Sequence, residues 1–173
     1  VLERQDGELA LPALHRLDRM LSSPILRSSL ALPKQTLSFG RVFAERRVLL
    51  LDLSGIGLAN ARVLGSILLL LIRNATLSRP FDAPPHTVLV DEASLFVSPT
   101  IAEMLDQARK YRVGVALAVQ RLSQLEPESV RSAVTANVAN LFSFRVLDRD
   151  DAVSLAKLFA NSRLNADDLQ GLG

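Results

Sequence analysis

The stretch Val88-Leu89-Val90-Asp91-Glu92 decides the fold, because it places two acids directly after a short apolar run. Such a run is typical of a buried strand in a parallel sheet, whose ligands bind at the C-terminal ends of the strands. In phosphate-hydrolysing ATPases an acid pair at this point forms the Walker B arrangement: the first acid holds Mg²⁺ and the second polarises the attacking water. A solvated acidic turn would have the same sequence, so the rest of the chain has to distinguish the two.

Strand-like and helix-like stretches alternate along most of the chain. The helical stretches carry apolar residues at helical spacing, as Ile101, Met104, Leu105 and Ala108 do. This alternation predicts an α/β fold with a mostly parallel sheet, helices on both faces and right-handed crossovers. The predicted strands are residues 48–53, 87–90, 115–119 and 141–147, and the predicted helices are residues 59–77, residues 100–111, one beginning near Pro127 and one capped by Asp148.

The predicted α/β region begins near residue 45. Residues 1–44 are expected to form a helical lead-in segment, which Pro24 and Pro33 break into short helices. Residues 45–173 are expected to form the α/β domain. The apolar face of the lead-in is predicted to comprise Leu14, Leu17, Met20 and Leu21.

Composition narrows the class of protein only slightly. The chain of 173 residues is 49% hydrophobic and suits one domain with a substantial core. It has no cysteine, which excludes disulfides and thiolate metal sites, and its net charge of +2 does not establish nucleic-acid binding. The apolar run at 66–72 is too short to span a bilayer and suits a buried helix. Because the sequence opens without Met or a signal-peptide pattern, we expect it to be part of a longer protein.

Each predicted strand ends at or near polar side chains: Asp52, the pair Asp91-Glu92, Gln120, and Arg145 with Asp148. Parallel strands bring their C-terminal ends to one edge of a sheet. Two acids beside a glutamine suit a site that senses a γ-phosphate, since an amide can both donate and accept hydrogen bonds.

Several motifs, in this order and spacing, resemble the motor domain of the HerA–FtsK superfamily, and most closely the conjugative coupling proteins of type IV secretion. The resemblance covers about residues 45 to 160. The stretches that carry it are Val88-Leu-Val-Asp-Glu-Ala93, Asp106-Gln-Ala-Arg-Lys110, Val115-Ala-Leu-Ala-Val-Gln120-Arg-Leu-Ser-Gln-Leu125, Asn137-Val-Ala-Asn140, Phe142-Ser-Phe-Arg-Val146 and Asp148-Arg-Asp-Asp-Ala152.

The resemblance implies a RecA-like fold, a hexameric ring of identical subunits, and ATP-driven translocation of DNA with ATP and Mg²⁺ as cofactors. Asp91 would then hold Mg²⁺ through water, Glu92 would be the catalytic base, and Gln120 would sense the nucleotide. Arg109 stands where these motors carry an arginine finger that reaches the neighbouring subunit. The implied location is cytoplasmic, at the inner face of the membrane where upstream segments anchor the protein, with secretion or conjugation machinery as partner.

The chain departs from that family in one respect. A P-loop requires Gly-x-x-x-x-Gly-Lys-Ser/Thr, and no Gly-Lys pair occurs in the 173 residues. The family places this loop upstream, so residues 45–173 would be the C-terminal part of a RecA-like ATPase domain and inactive alone. The alternative is a paralogue that lost the loop and serves as a non-catalytic scaffold or partner-binding module.

Other candidate residues have simpler interpretations. Arg109 could pair with Asp106 along the helix, and Asp52, with no second acid after it, is interpreted as structural. Arg145 is predicted to form a structural salt bridge. The two histidines, His15 and His86, lack metal-ligand spacing. The arginines expected in a solvated loop, with DNA contact as the alternative, are Arg41, Arg46 and Arg47.

Overall fold

The computed structural model describes residues 11–12, 14–15, 17–18, 21–31, 37–159 and 163–172. These residues form a mixed α/β structure with a parallel sheet of two strands. The helices are α1 Pro24–Leu30, α2 Phe39–Ala44, α3 Leu58–Leu77, α4 Pro99–Ala108, α5 Glu128–Asn137, α6 Arg149–Leu158 and α7 Ala166–Gly171; the strands are β1 His86–Val90 and β2 Val113–Leu117; short 3-10 helices span Ala93–Leu95, Arg109–Tyr111 and Leu122–Gln124.

The sheet pairs β1 with β2 in parallel, from His86 opposite Val113 to Val90 opposite Leu117. The connection between the strands runs through α4. Two strands were therefore predicted correctly, although β2 begins two residues earlier than expected. Gly114 lies within β2 opposite Thr87.

One face of the sheet is buried beneath helices. Val88, Val90 and Val113 point into a core that α2, α3 and α4 cover. The apolar stripe predicted for α4 supplies much of this cover, and its Met104 is only 1% exposed. Burying a side chain of this size is worth about 1.5–3 kcal/mol, so this layer is the main source of stability around the sheet.

The other face of the sheet is uncovered in the part of the chain that the structure describes. Leu89 is 74% exposed, and Thr87, Gly114 and Ala116 are exposed beside it. The prediction of helices on both faces is therefore wrong for the described residues. α5 does not reach this face, because its buried residues pack with Leu125 near the covered side.

Two predicted strands, residues 48–53 and 141–147, do not form. Neither stretch hydrogen-bonds to the sheet, and alternate apolar side chains lie in solvent: Val48 is 89% and Leu50 88% exposed, and Phe142 and Phe144 are each 87% exposed. Leu141 and Val146 are partly buried against a second core further along the chain. Apolar alternation favours a strand, but a strand also needs a neighbour for its backbone N–H and C=O groups. Among the described residues neither segment has a neighbouring strand, and the Val146 amide donates instead to the Leu169 carbonyl of α7 at 3.1 Å.

A second, smaller core joins α6 and α7. Asp148 caps α6 as predicted, since its carboxylate accepts a hydrogen bond from the Asp151 amide. Leu122, which precedes α5, packs against this core and also against the core of α5. It therefore connects the α6–α7 unit to the sheet region. The buried residues of the second core are Ala152, Leu155, Ala166 and Leu169.

The lead-in segment is helical wherever it is described between residues 11 and 22, as predicted. Its predicted apolar face is largely solvent-exposed, since Leu14, Leu17 and Leu21 are all exposed. Met20, the fourth residue of that face, lies outside the described residues.

The predicted helix at residues 59–77 is confirmed as α3. By length and composition alone, α3 is long and apolar enough to cross a membrane, and it is the one such helix in the described ranges. Only one side of α3 is buried: Leu69 and Ile72 belong to the core against the sheet, whereas Leu70 and Leu71 are exposed. The expectation of a buried helix therefore holds for that side alone.

Candidate functional site

The acid pair lies in a tight turn at the C-terminal end of β1. Asp91 and Glu92 are both exposed, and Asp91 Oδ1 accepts a hydrogen bond from the Glu92 amide at 2.9 Å. Glu92 has φ 48° and ψ 43°, in the left-handed region. A residue with a Cβ pays about 1–2 kcal/mol to adopt this conformation. The turn therefore presents its carboxylates at a cost in stability.

Gln120 reaches the same edge from the neighbouring strand. The ladder continues past the ends of the strands, because the Ala118 amide donates to the Val90 carbonyl and the Ala93 amide donates to the Ala118 carbonyl, both at 2.9 Å. This pairing brings Gln120 beside the acid turn. Its Nε2 donates a hydrogen bond to Glu92 Oε1 at 3.3 Å. The structure thus brings together two of the predicted site residues, which are 28 positions apart in sequence.

Arg109 lies near the N-terminal ends of the two strands, at the end of the sheet opposite the acid turn. It begins the 3-10 turn after α4, and its carbonyl accepts a hydrogen bond from the Arg112 amide at 3.1 Å. The Arg112 carbonyl in turn accepts from the amide of His86, the first residue of β1. Because the five residues of β1 rise by roughly 3.3 Å each, Arg109 stands far from the acid turn.

The alternative interpretation of Arg109, an ion pair with Asp106, is not observed among the described residues. The Asp106 carboxylate instead accepts a hydrogen bond from Asn137 Nδ2 of α5 at 2.6 Å. Arg109 is exposed to solvent. Its guanidinium is therefore available for a contact outside the described chain.

The other candidates take structural or surface positions. The Asp52 carboxylate accepts a hydrogen bond from the Ser54 amide at 2.8 Å, and hydrogen bonding to Ser54 lowers the pKa of Asp52. It is exposed and forms part of a turn. The salt bridge predicted for Arg145 is not found among the described residues, where this arginine is exposed.

The arginines near residue 45 belong to a surface network. Arg41 Nε lies 3.2 Å from Glu45 Oε1, and Arg47 also pairs with Glu45. Arg46 lies between them with a positive φ of 52°. Arg46 and Arg47 lie in the exposed turn after α2, as the interpretation as a solvated loop predicts, whereas Arg41 lies within α2 and the loop prediction is wrong for it.

Sequence reasoning missed a contact behind the Gln120 loop. The buried carboxylate of Asp151, on α6, accepts hydrogen bonds from Ser123, from its amide at 3.0 Å and from its hydroxyl at 3.3 Å. Asp151 is 3% exposed. The available signal in the sequence was that Asp151 is a second acid after the helix cap at Asp148. Nothing near it in the sequence identifies its partner Ser123, which is 28 residues away.

The side chains of the acid turn match the ligand preferences of Mg²⁺ only in part. No group of three or more His, Asp or Glu side chains able to hold a metal occurs in the described ranges. Mg²⁺ commonly uses one or two protein carboxylates and takes its remaining oxygens from water and substrate phosphates. An exposed carboxylate at Asp91, with Glu92 beside it, fits that pattern.

Comparison with known proteins adds no relative. The chain matches no protein-family model, no curated protein and no solved structure.

Proposed function

We propose that this chain is the C-terminal part of a RecA-like ATPase domain from a motor that translocates DNA. The observation that carries the proposal is the hydrogen bond between Gln120 and Glu92 across the tips of two adjacent parallel strands. An acid pair and a neighbouring amide at this edge are the parts that ATP hydrolysis needs beside the phosphates. The sequence resemblance supplies the specific class, a coupling-protein-like member of the HerA–FtsK superfamily acting in the cytoplasm.

In the proposed reaction, water attacks the γ-phosphorus of ATP while the bond to the β-phosphate oxygen breaks, giving ADP and phosphate. Glu92 accepts a proton from the attacking water, and Gln120 contacts both that water and a γ-phosphate oxygen. Asp91 would hold Mg²⁺ through water. When bound, Mg²⁺ neutralises the charge that builds on the phosphate oxygens.

The left-handed backbone at Glu92 supports this assignment. Residues held in sparsely populated conformations cluster at functional sites, where the surrounding structure maintains them. Arg46 and Arg112 also have a positive φ, in turns to which no function is assigned. The left-handed backbone at Glu92 therefore supports the catalytic interpretation only together with the hydrogen bond from Gln120.

Arg109 serves a different active site in this proposal. Its position at the other edge of the sheet leaves it far from Glu92 of its own chain, as a finger acting on a neighbouring subunit requires. An arginine supplied in trans stabilises transition-state charge and is worth about 10³–10⁵ in kcat in other phosphate-hydrolysing enzymes. A ring of identical subunits provides such a neighbour.

The incomplete sheet supports a larger domain. Within the part of the chain that the structure describes, one sheet face is uncovered, and residues 48–53 and 141–147 have the composition of strands but no ladder partner. A polypeptide that carries a P-loop strand and helix would supply such partners. It would also supply the phosphate-binding amides and lysine that these 173 residues lack.

The first test is the reading frame upstream of Val1, which we expect to encode a Gly-rich loop ending in Lys-Ser/Thr. The second is Glu92→Gln in the complete natural protein, with ATP hydrolysis and nucleotide binding measured separately. We expect hydrolysis to be lost and binding to be kept, because the amide cannot accept the proton.

The matched control is Asp82→Asn, an exposed acid in the turn before β1, at the opposite edge of the sheet. This variant should hydrolyse ATP at the wild-type rate. Normal turnover by the Glu92→Gln protein would refute the catalytic assignment.

The alternative function is a non-catalytic scaffold or partner-binding module with the same fold. The observation that favours it is the absence of any Gly-Lys pair in the sequence. An intact reading frame without a P-loop, together with no ATP binding by its product, would establish this alternative over the enzyme.

A further inference from the structure

We propose that Asp151 is a positioning residue that fixes the loop carrying Gln120. This inference rests on the proposed function for its catalytic consequence, but the structural link stands on contacts within the described chain. Asp151 does not touch the acid turn and has no place in the hydrolysis itself.

The loop after β2 is held by the apolar contacts of Leu122 and Leu125 and by a polar contact at Ser123. It runs from Gln120, which is exposed, through the 3-10 turn Leu122–Gln124. Ser123 directs both its amide and its hydroxyl to the carboxylate of Asp151. The Asp151 carboxylate thus accepts from two donors of Ser123, which lies three residues after the proposed sensor, Gln120.

Burial makes this contact consequential. Asp151 is 3% exposed, and its carboxylate has no ion-pair partner within 4 Å among the described residues. A buried carboxylate is tolerated when donors satisfy it, so Asp151 requires the two donors of Ser123, which is itself exposed. Leu122 adds an apolar contact to the same α6–α7 core.

The consequence is a mechanical connection from α6 and α7 to the nucleotide site. A displacement of α6 moves Asp151, and through Ser123 it moves the loop that positions the Gln120 amide near Glu92. Catalytic geometry is sensitive to such shifts, because a misplacement of about 1 Å can cost 10²-fold in rate. The α6–α7 unit is therefore placed to adjust ATP turnover without contacting ATP.

The test uses Asp151→Ala in the complete natural protein, with Asp150→Ala as the matched control. Asp150 is the preceding acid in the first turn of α6 and is exposed, so its removal changes the charge equally without opening the contact. Trypsin cleavage after Arg121, an exposed residue of the loop, reports local order. We expect Asp151→Ala to raise the cleavage rate at Arg121 at least severalfold and Asp150→Ala to leave it unchanged.

The kinetic readout separates positioning from general structural damage. Asp151→Ala should lower kcat for ATP by about 10-fold to 10²-fold with little change in KM, because Gln120 acts on the γ-phosphate and water after ATP has bound. Asp151→Asn should restore most of the rate, since its amide oxygen still accepts from the Ser123 amide.

Two further outcomes keep the inference separate from the proposed function. If the wild-type protein does not hydrolyse ATP, the proposed function fails, whereas loss of protection at Arg121 in Asp151→Ala still supports the loop contact. If Asp151→Ala does not fold, Ser123→Ala removes only the hydroxyl bond and should give an intermediate increase in cleavage. Unchanged cleavage at Arg121 in whichever of the two variants folds would overturn the inference.

Discussion

The two faces of the sheet contrast sharply in their surroundings. On one face Val88 and Val90 lie beneath helices, while Leu89, between them in sequence, is 74% exposed on the other. Adjacent residues of a strand point to opposite faces, so a single strand samples both environments. The covered face belongs to the largest apolar core of the described fold, and the uncovered face presents one large apolar side chain, Leu89, beside Thr87, Gly114 and Ala116.

The largest expected effect comes from removing a covered side chain. Met104→Ala should lower the free energy of unfolding by about 2–5 kcal/mol, because it leaves a cavity in the core below the sheet. Leu89→Ala is the control and should change it by less than about 0.5 kcal/mol. Chemical denaturation measures both. Equal losses would mean that the two faces are not energetically different.

A second prediction concerns the close approach of α3 to the segment after the acid turn. A Cβ added at Gly65 would lie 2.4 Å from the Phe96 ring and 3.2 Å from Leu53 Cδ1. Gly65→Ala should therefore cost about 1–3 kcal/mol through overpacking, despite the better helix propensity of alanine.

Gly40→Ala serves as the comparison for Gly65→Ala, because its nearest neighbour for an added Cβ is Ser38 Oγ at 3.9 Å. This variant should be neutral or slightly stabilising. A Gly65→Ala protein as stable as wild type would show that Phe96 can move away from the covered face without cost.

A smaller effect is expected from pH. His86 lies at the covered side of β1 with its ring 4.6 Å from that of Phe43, and burial and the charge of Arg79 lower the pKa of His86. The unfolded chain then binds the proton more readily. Stability from this group is complete above the unfolded pKa of about 6.5 and falls as the pH drops through the lowered folded pKa.

Denaturant unfolding at pH 7.5 and at pH 5.5 measures this loss in the wild type and in His86→Gln. The wild type should lose more stability than the variant between the two pH values. An equal loss would show that His86 titrates alike in the folded and unfolded chains.

The smallest change in stability is expected at the exposed segment 141–147. Replacing Phe142 and Phe144, each 87% exposed, by serine should alter the unfolding free energy by less than about 0.5 kcal/mol per site. The same double variant should reduce self-association of the 173-residue chain, because unpaired edges and exposed apolar residues promote it. Light scattering compares the two proteins. A wild-type chain that stays monomeric would indicate that this surface needs no partner.

The sequence predicts the elements whose signals are local. The apolar stripe of α4, the cap at Asp148 and the run before Asp91 each depend on residues within one or two turns or one strand, and each forms near its predicted bounds. The segments 48–53 and 141–147 carry equally strong local signals but need a hydrogen-bonding neighbour that is distant in sequence. Pattern alone cannot supply that information.

The same distinction between local signals and contacts distant in sequence applies to the candidate site. The meeting of Gln120 with Glu92 could be anticipated, because parallel strands align their ends. The contact between Asp151 and Ser123 could not, because it depends on how α6 packs beside the loop. The strain at Glu92 was equally hidden, since only backbone geometry reveals it.

The left-handed turn at Glu92 also has an evolutionary consequence. Glycine adopts this conformation without penalty, so selection for folding alone would steadily favour Glu92→Gly or an asparagine there. Homologous chains that retain a glutamate at this position also retain the conformational cost that glycine would avoid. The amino acids that homologous chains carry at position 92 therefore indicate whether the carboxylate is needed for function. This test requires only sequences and no purified protein.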